Sequence, residues 1–352
     1  MKKLKSIMCI MIVLCFCISI SSISAENKNL VMANEQLTDT SKNVCVDLKI
    51  STSNVVIERN GYGECVNAIA ILTDNSERNV NDKANWETDN PGVAYAYNDG
   101  SIVGKGKGKA RIKVSYGGFE RYIDVEVLKE VNLLNEAKEL NQKLNLRASR
   151  SLSAAERQEI IDRAMTMLSY TWTPTRNLAM RGTGYFYPGT YYLGIPYTQV
   201  DQVDRDGFIA AMSKSDFYTT QYYDGGQKHQ PKYGNDCSGF VSFSWDIPRI
   251  DTGTFFSRIN SDTYPKVGSY TSTTPTSPTT AQLLASYPLM QTGDAIVYRN
   301  SSNTAGHIRI ISANFTNESR VQCFENRGPT CEITFWTYNQ LASMKYMPFS
   351  KN

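Results

Sequence analysis

Between residues 41 and 130 apolar or β-branched positions interleave with polar ones in short runs, Val44–Ile50, Val55–Glu58, Cys65–Leu72, Val93–Tyr97, Ala110–Tyr116 and Tyr122–Val127. Asn60-Gly61, Asn90-Pro91-Gly92, Asn98-Asp99-Gly100 and Gly117-Gly118 punctuate them. Runs of this length and period between turn residues predict strands, and a succession of them predicts a small all-β sandwich. From 131 to 152 the period changes. Leu133, Leu134, Ala137, Leu140 and Leu144 recur at helical spacing, which predicts a short connecting helix, and Asn145–Ser151 reads as an exposed linker open to nicking.

Ser153-Ala154-Ala155-Glu156 is a capping-box pattern, and Ile160, Ile161, Ala164, Met167 and Leu168 then fall on one helical face. A second domain is therefore expected from 153 to 352. Its next stretch is aromatic and irregular, running through Tyr185, Phe186, Tyr187, Tyr191 and Tyr192 to Gly194-Ile195-Pro196-Tyr197. The run Ser269–Thr280 is rich in serine, threonine and proline and reads as a flexible surface insertion. Gly293-Asp294 leads into an apolar strand, Ala295–Tyr298, followed by strands from His307 and over Arg320–Asn326.

The start of the chain sets the compartment. Lys2, Lys3 and Lys5 precede an apolar run, Ile7–Ile20, and Ser24-Ala25 offers a cleavage site. Residues 1–25 are thus expected to be a signal peptide and 26–40 a polar stretch before the sandwich. Cys15 and Cys17 lack the small preceding residues of a lipoprotein site, so no stable membrane anchor is expected. Without the signal the 37 basic residues fall by three lysines to 34, against 34 acidic ones. A neutral chain lacks the basic footprint of nucleic-acid binding, so no nucleic-acid partner is expected. The cysteines remaining are Cys45, Cys65, Cys237, Cys323 and Cys331, an odd number. If Cys45 pairs with Cys65 and Cys323 with Cys331, Cys237 is left as the thiol, though four cysteines allow three connectivities.

That thiol is the centre of the chemistry. Asp236-Cys237-Ser238-Gly239-Phe240-Val241 is answered downstream by Gly306-His307-Ile308, and the chain has only two histidines, His229 and His307. A thiol attacks a carbonyl as thiolate, activated by an imidazole or a helix N-terminus, and activated cysteines alkylate below the ordinary thiol range. The residues around Cys237 fit a helical face and a strand alternation equally well, and Pro248 ends the element in either case. A hairpin register opposing Ile311 to Val321 would oppose His307 to Glu325, which would orient the imidazole. A slip of one residue would substitute Asn326. Glu325 ranks first and Asn326 second. Asp236 and Ser238 flank the thiol and are expected to meet substrate. His229 reads as an exposed loop histidine, Cys323 as a packing or disulfide residue. Neither a metal nor an organic cofactor is required.

Two resemblances add to this. Trp86–Ala94 followed by Asp99–Ala110 resembles the group 2 bacterial immunoglobulin-like domain, usually a spacer or adhesive module. The DCSGFV run, the upstream Gly-Ile-Pro-Tyr, the Gly293-Asp294 strand and the Gly306-His307-Ile308 strand resemble the NlpC family of papain-like cell-wall cysteine peptidases. The resemblance implies Cys237 as nucleophile at the start of a central helix, His307 as general base and Tyr197 lining the site. It also implies peptidoglycan stem peptides as substrate. The spacings between these motifs are longer than is usual in the family, and Phe324-Glu325-Asn326 replaces the histidine often found at the third position. The last feature is also similar to CHAP amidases. The expected fold is multidomain, an N-terminal all-β immunoglobulin-like sandwich (41–130), a helical linker (131–152) and a C-terminal α+β papain-like, NlpC-type domain (153–352). The expected function is that of a secreted, wall-associated cysteine peptidase, the sandwich serving as a stalk or holding a wall or host-surface ligand. Alternatives are a surface adhesin without turnover and a hydrolase of non-wall substrates.

Overall fold

The structure, a computed structural model, describes residues 43–143 and 152–352. The expected signal peptide (1–25), the polar stretch (26–40) and the whole 145–151 linker lie outside the described residues. In the sandwich, β1 (Cys45–Ile50), β4 (Ala68–Leu72) and β5 (Glu77–Asn79) form one sheet. A second sheet takes the order β2 (Asn54–Arg59), β10 (Phe119–Lys129), β9 (Gly108–Tyr116), β6 (Asn85–Thr88). A third joins β3 (Gly63–Cys65), β8 (Ser101–Gly104) and β7 (Ala94–Ala96). The run expected as one strand over Cys65–Leu72 divides because Val66 N–H turns to the carbonyl of Gly100 before β4 joins a different sheet. Alternate side chains of β2, β9 and β10 point inward, among them Val55, Ile57, Ile112, Val114, Ile123 and Val125, and fill the core.

Beyond the helix α1 (Leu133–Lys143), the capping box of Ser153 and Glu156 opens α2 (Ala154–Leu168) as its sequence requires. Arg157 of α2 meets Asp294 at 2.9 Å in the interior and donates to the carbonyl of Thr292, which ties the helix to the turn before β11 (Ala295–Arg299). β11 pairs with β12 (Gly306–Phe315), which pairs with β13 (Arg320–Asn326), which pairs with β14 (Cys331–Thr337); β15 (Met347–Phe349) closes the other edge of an antiparallel five-stranded sheet. The helix α3 (Cys237–Ser244) packs on β12 and β13.

The expected fold class is corrected by this balance. Among the described residues strand makes up 37% and helix 22%, and no helical C-terminal domain stands apart. After α2, every helix is nine residues or shorter. The stretch read as irregular aromatic chain instead closes into two-stranded ladders, such as Thr171–Trp172 with Tyr192–Leu193, pinned by Trp172 against Phe186 and Phe208. The described residues hold more strand than helix. Ser269–Thr280 is also not a loose insertion, because Tyr270 is buried and its hydroxyl donates to the carbonyl of Pro348 at 2.8 Å.

The two parts share an interface. Phe335 N–H donates to Gly61 O at 2.8 Å, Gln340 Nε2 donates to Gly63 O at 2.8 Å, and the rings of Tyr62 and Phe335 lie 5.2 Å apart. Gly63 is required there, since a Cβ would sit 2.5 Å from Trp336. Among the described residues no helix is long and apolar enough to cross a membrane.

Candidate functional site

Asp236 decides between the two local readings around Cys237. Its Oδ1 accepts from Gly239 N–H at 2.7 Å, the N-cap bond that starts α3 with Cys237 as first residue. The hydroxyl of Ser238 donates to the same oxygen, and Arg249 holds Oδ2 at 3.0 Å. Asp236 and Ser238 therefore spend their polar atoms on the cap and are buried, so their expected role as substrate contacts is corrected to a structural one. Gly239 fits because any Cβ would meet Gln202 Oε1, the acceptor for Asp236 N–H.

The ladder between β12 and β13 begins at Ile310 and Phe324 and contains an irregularity between Ile311 and Ala313. Continued toward the site, this register sets Arg309, not His307, opposite Glu325, which corrects the expected pairing of Ile311 with Val321. Glu325 nonetheless reaches His307 diagonally. Its Oε2 accepts a short hydrogen bond from His307 Nε2 and one of 2.9 Å from Arg309 Nε, while Thr334 donates to Oε1. Arg327 Nε lies 3.9 Å from Oε2. Arg309 Nη1 and Nη2 make no hydrogen bond, but the guanidinium lies between the rings of Trp336 and Tyr346, 4.5 and 4.3 Å from their centroids. Burial alone would raise the Glu325 carboxyl, yet Arg309, His307 and Arg327 hold it well below the usual range.

Asn326 points to the other face, where its Nδ2 donates to Asn235 O at 2.9 Å and Asn235 Oδ1 at 2.7 Å. It ties the chain before Cys237 to the sheet and does not touch the imidazole. Tyr197 lies beside the site, buried, with Arg181 4.8 Å above its ring; burial and the neighbouring Cys237 sulfur push its phenol up.

The thiol and imidazole are electrically quiet. Cys237 is 5% exposed, and burial, then Asp236, push its thiol up to about 12 against the lowering effect of the Ile308 and Ser238 backbone N–H groups. Burial lowers His307 to about 4, with Glu325 opposing and Arg309 and Arg327 assisting. Among the described residues no hydrogen bond joins Cys237 to His307, and His307 Nδ1 makes none. The pair is thus a neutral thiol and a neutral imidazole whose Nε2–H is given to Glu325. An ordinary activated thiol, expected from the sequence, is not what this environment produces.

The remaining candidates separate from the site. His229 is buried, not exposed, with Nδ1 donating to Met180 O at 3.0 Å and its ring against Tyr185. All five described cysteines are free. Cys45 and Cys65 belong to different sheets, and Cys331 lies opposite Asn326, three positions along the ladder from the partner of Cys323, so neither expected disulfide forms. Sequence reasoning missed Arg327 and Asp99, since nothing in their local context marks a buried charge.

No family model matches the chain, and no curated protein does. Among solved structures, domains 5-6 of the S-layer protein SbsC match at 9% identity, covering 84% of this chain and 97% of that one, with a TM-score of 0.23. At that score the likeness bears on neither fold nor function.

Proposed function

We propose that the protein is a cysteine hydrolase of amide bonds in peptidoglycan stem peptides, similar in activity to the NlpC family and exported to act at the cell wall. The observation that supports this reading is a thiol at the first position of a helix that receives the backbone N–H of Ile308, the residue next to His307, whose own imidazole is bonded to a buried carboxylate. With Nε2–H held by Glu325, Nδ1 carries the lone pair. In the proposed reaction Nδ1 takes the Cys237 proton as sulfur bonds to the substrate carbonyl carbon, and the oxyanion is held by backbone N–H groups at the helix start. Collapse breaks the C–N bond, and the imidazolium proton leaves with the amine. Water, deprotonated by His307, then hydrolyses the thioester and restores the thiol. The export step is read from Lys2, Lys3, Lys5 and the apolar run after them.

Mass spectrometry of muropeptides from several wall types, incubated with wild type and with Cys237→Ala, tests this. Fragments released by wild type alone are expected; release by both proteins, or by neither, overturns it. A second reading, a wall- or surface-binding protein without turnover, is favoured by the raised thiol and its missing bond to His307. It expects binding to walls that Cys237→Ala leaves intact.

A further inference from the structure

The His307–Glu325 pair lies on the face of the sheet turned toward the sandwich, and one turn of the sandwich reaches it. Asp99, between β7 and β8, holds Arg327 Nη2 at 3.0 and 3.1 Å from its two oxygens, and Ser101 Oγ accepts from the same nitrogen at 2.7 Å. The Tyr97 ring lies 3.4 Å from the Arg327 guanidinium carbon, and its hydroxyl donates to Gly328 O at 3.1 Å and to Glu332 at 2.6 Å. Lys105 completes this patch with a short ion pair to Glu332. The C-terminal sheet itself buries two guanidiniums, Arg309 and Arg327, around one carboxylate, Glu325. That set carries an unbalanced positive charge in a place where desolvation makes imbalance costly. Asp99 supplies the second negative charge. The sequence is then alternating: Asp99, Arg327, Glu325 and Arg309, with His307 attached to Glu325.

We infer that Asp99 is a positioning residue for the catalytic pair: from the N-terminal sandwich it fixes Arg327, so that Glu325 keeps its oxygen aimed at His307 Nε2. The inference rests on the reading of His307 and Glu325 as catalytic. It gives the sandwich a part in the site beyond that of a spacer. Without Asp99, Arg327 is released to compete with His307 for Glu325 Oε2, because Nε and Nη1 of Arg327 have no other hydrogen-bond partner.

The test uses the full chain with nitrogen-15-labelled histidine. The two histidines make the ring spectrum simple, and the His307 Nε2–H is read by its downfield proton and its exchange with water. In Asp99→Asn this exchange is expected to speed up by about tenfold, the size of coupling between neighbours in one charge network. Ser101→Ala, a milder loss of one acceptor, is expected to speed it up by about threefold. Gln340→Ala, which removes an interface bond remote from Arg327, should leave it unchanged, and Asp99→Glu should restore part of the loss. An unaltered His307 signal in both Asp99→Asn and Ser101→Ala overturns the inference. So does an equal change in Gln340→Ala, which would mean that domain docking as a whole, and not Asp99, holds the pair. If wild type cleaves wall peptides, Asp99→Asn should lower kcat with KM unchanged; if it cleaves nothing, the hydrolase reading fails while the ring spectra still decide the positioning.

Discussion

A buried neutral histidine makes stability depend on pH in a window that is easy to reach. His307 has an ordinary value of 6.5 in the unfolded chain and about 4 when folded, lowered first by burial of a side chain that is 12% exposed. Above the ordinary value the ring is neutral in both states and contributes no pH dependence. As pH falls through that range the unfolded chain takes a proton that the folded chain refuses, so stability is lost until the folded ring also titrates. The gap of 2.5 units, 6.5 minus 4, corresponds to about 3 kcal/mol. Urea unfolding at about pH 7.5 and about pH 4.5 should show wild type losing most of that amount beyond what His307→Gln loses, because the glutamine amide can still donate to Glu325 and the other carboxylates are common to both proteins. Equal losses in the two proteins would refute the argument. A wild type that gains stability relative to His307→Gln on acidification would show that the ionised Glu325 holds the folded ring protonated, the opposite of a neutral imidazole.

Three further outcomes follow from the site. Cys237, with its thiol pushed up to about 12, should alkylate slowly at neutral pH and faster only in strong alkali; rapid labelling near neutrality would show an activated thiolate. Glu325→Gln should cost about 3–5 kcal/mol in denaturant unfolding, since it strips the counter-charge from two buried guanidiniums, whereas Asn326→Ala should cost about 1–3 kcal/mol through the lost bonds to Asn235, and the reverse order would refute the assignment of the two residues. Gly63→Ala should cost about 1–3 kcal/mol, because the added carbon meets Trp336 at 2.5 Å across the interface; a neutral effect on thermal unfolding would mean the two parts are not docked there.

Where a short segment carries its own signal, the sequence was readable. The Ser153 capping box and the turn-punctuated strands of the sandwich depend on neighbours a few positions away, whereas the Asp236 cap at Cys237 did not stand out from a strand alternation. Pairing at longer range was less readable. Ile311 pairs with Cys323 and Val321 with Asn314, so counting back from an assumed pair of Ile311 and Val321 gave the wrong partner for His307. Glu325 was still identified because a diagonal neighbour in a sheet remains within reach of a long side chain. Asp99 and Arg327 are 228 positions apart in the chain, and each in isolation looks like a solvated turn residue. His229 similarly sits among polar and glycine residues, yet its ring is buried by Tyr185, which belongs to a different ladder. The stretch read as irregular aromatic chain went unread for a related reason: two-residue ladders leave no period to detect.

The resting electrostatics also constrain how any turnover must begin. Burial holds the Cys237 thiol up at about 12 and the His307 imidazole down at about 4, so moving a proton from one to the other is uphill in the free protein. A preformed thiolate–imidazolium pair is therefore not populated in the free protein. Turnover is then served best when the transfer is joined to bond formation at the carbonyl or eased by substrate. Proton transfer should then be in flight in the rate-limiting acylation step, and kcat/KM should fall measurably in deuterated water. An enzyme that attacks with a stored thiolate would show little such effect. Absence of a solvent isotope effect on acylation, alongside genuine cleavage, would mean that the closed, neutral arrangement of Cys237 and His307 is not the one that reacts.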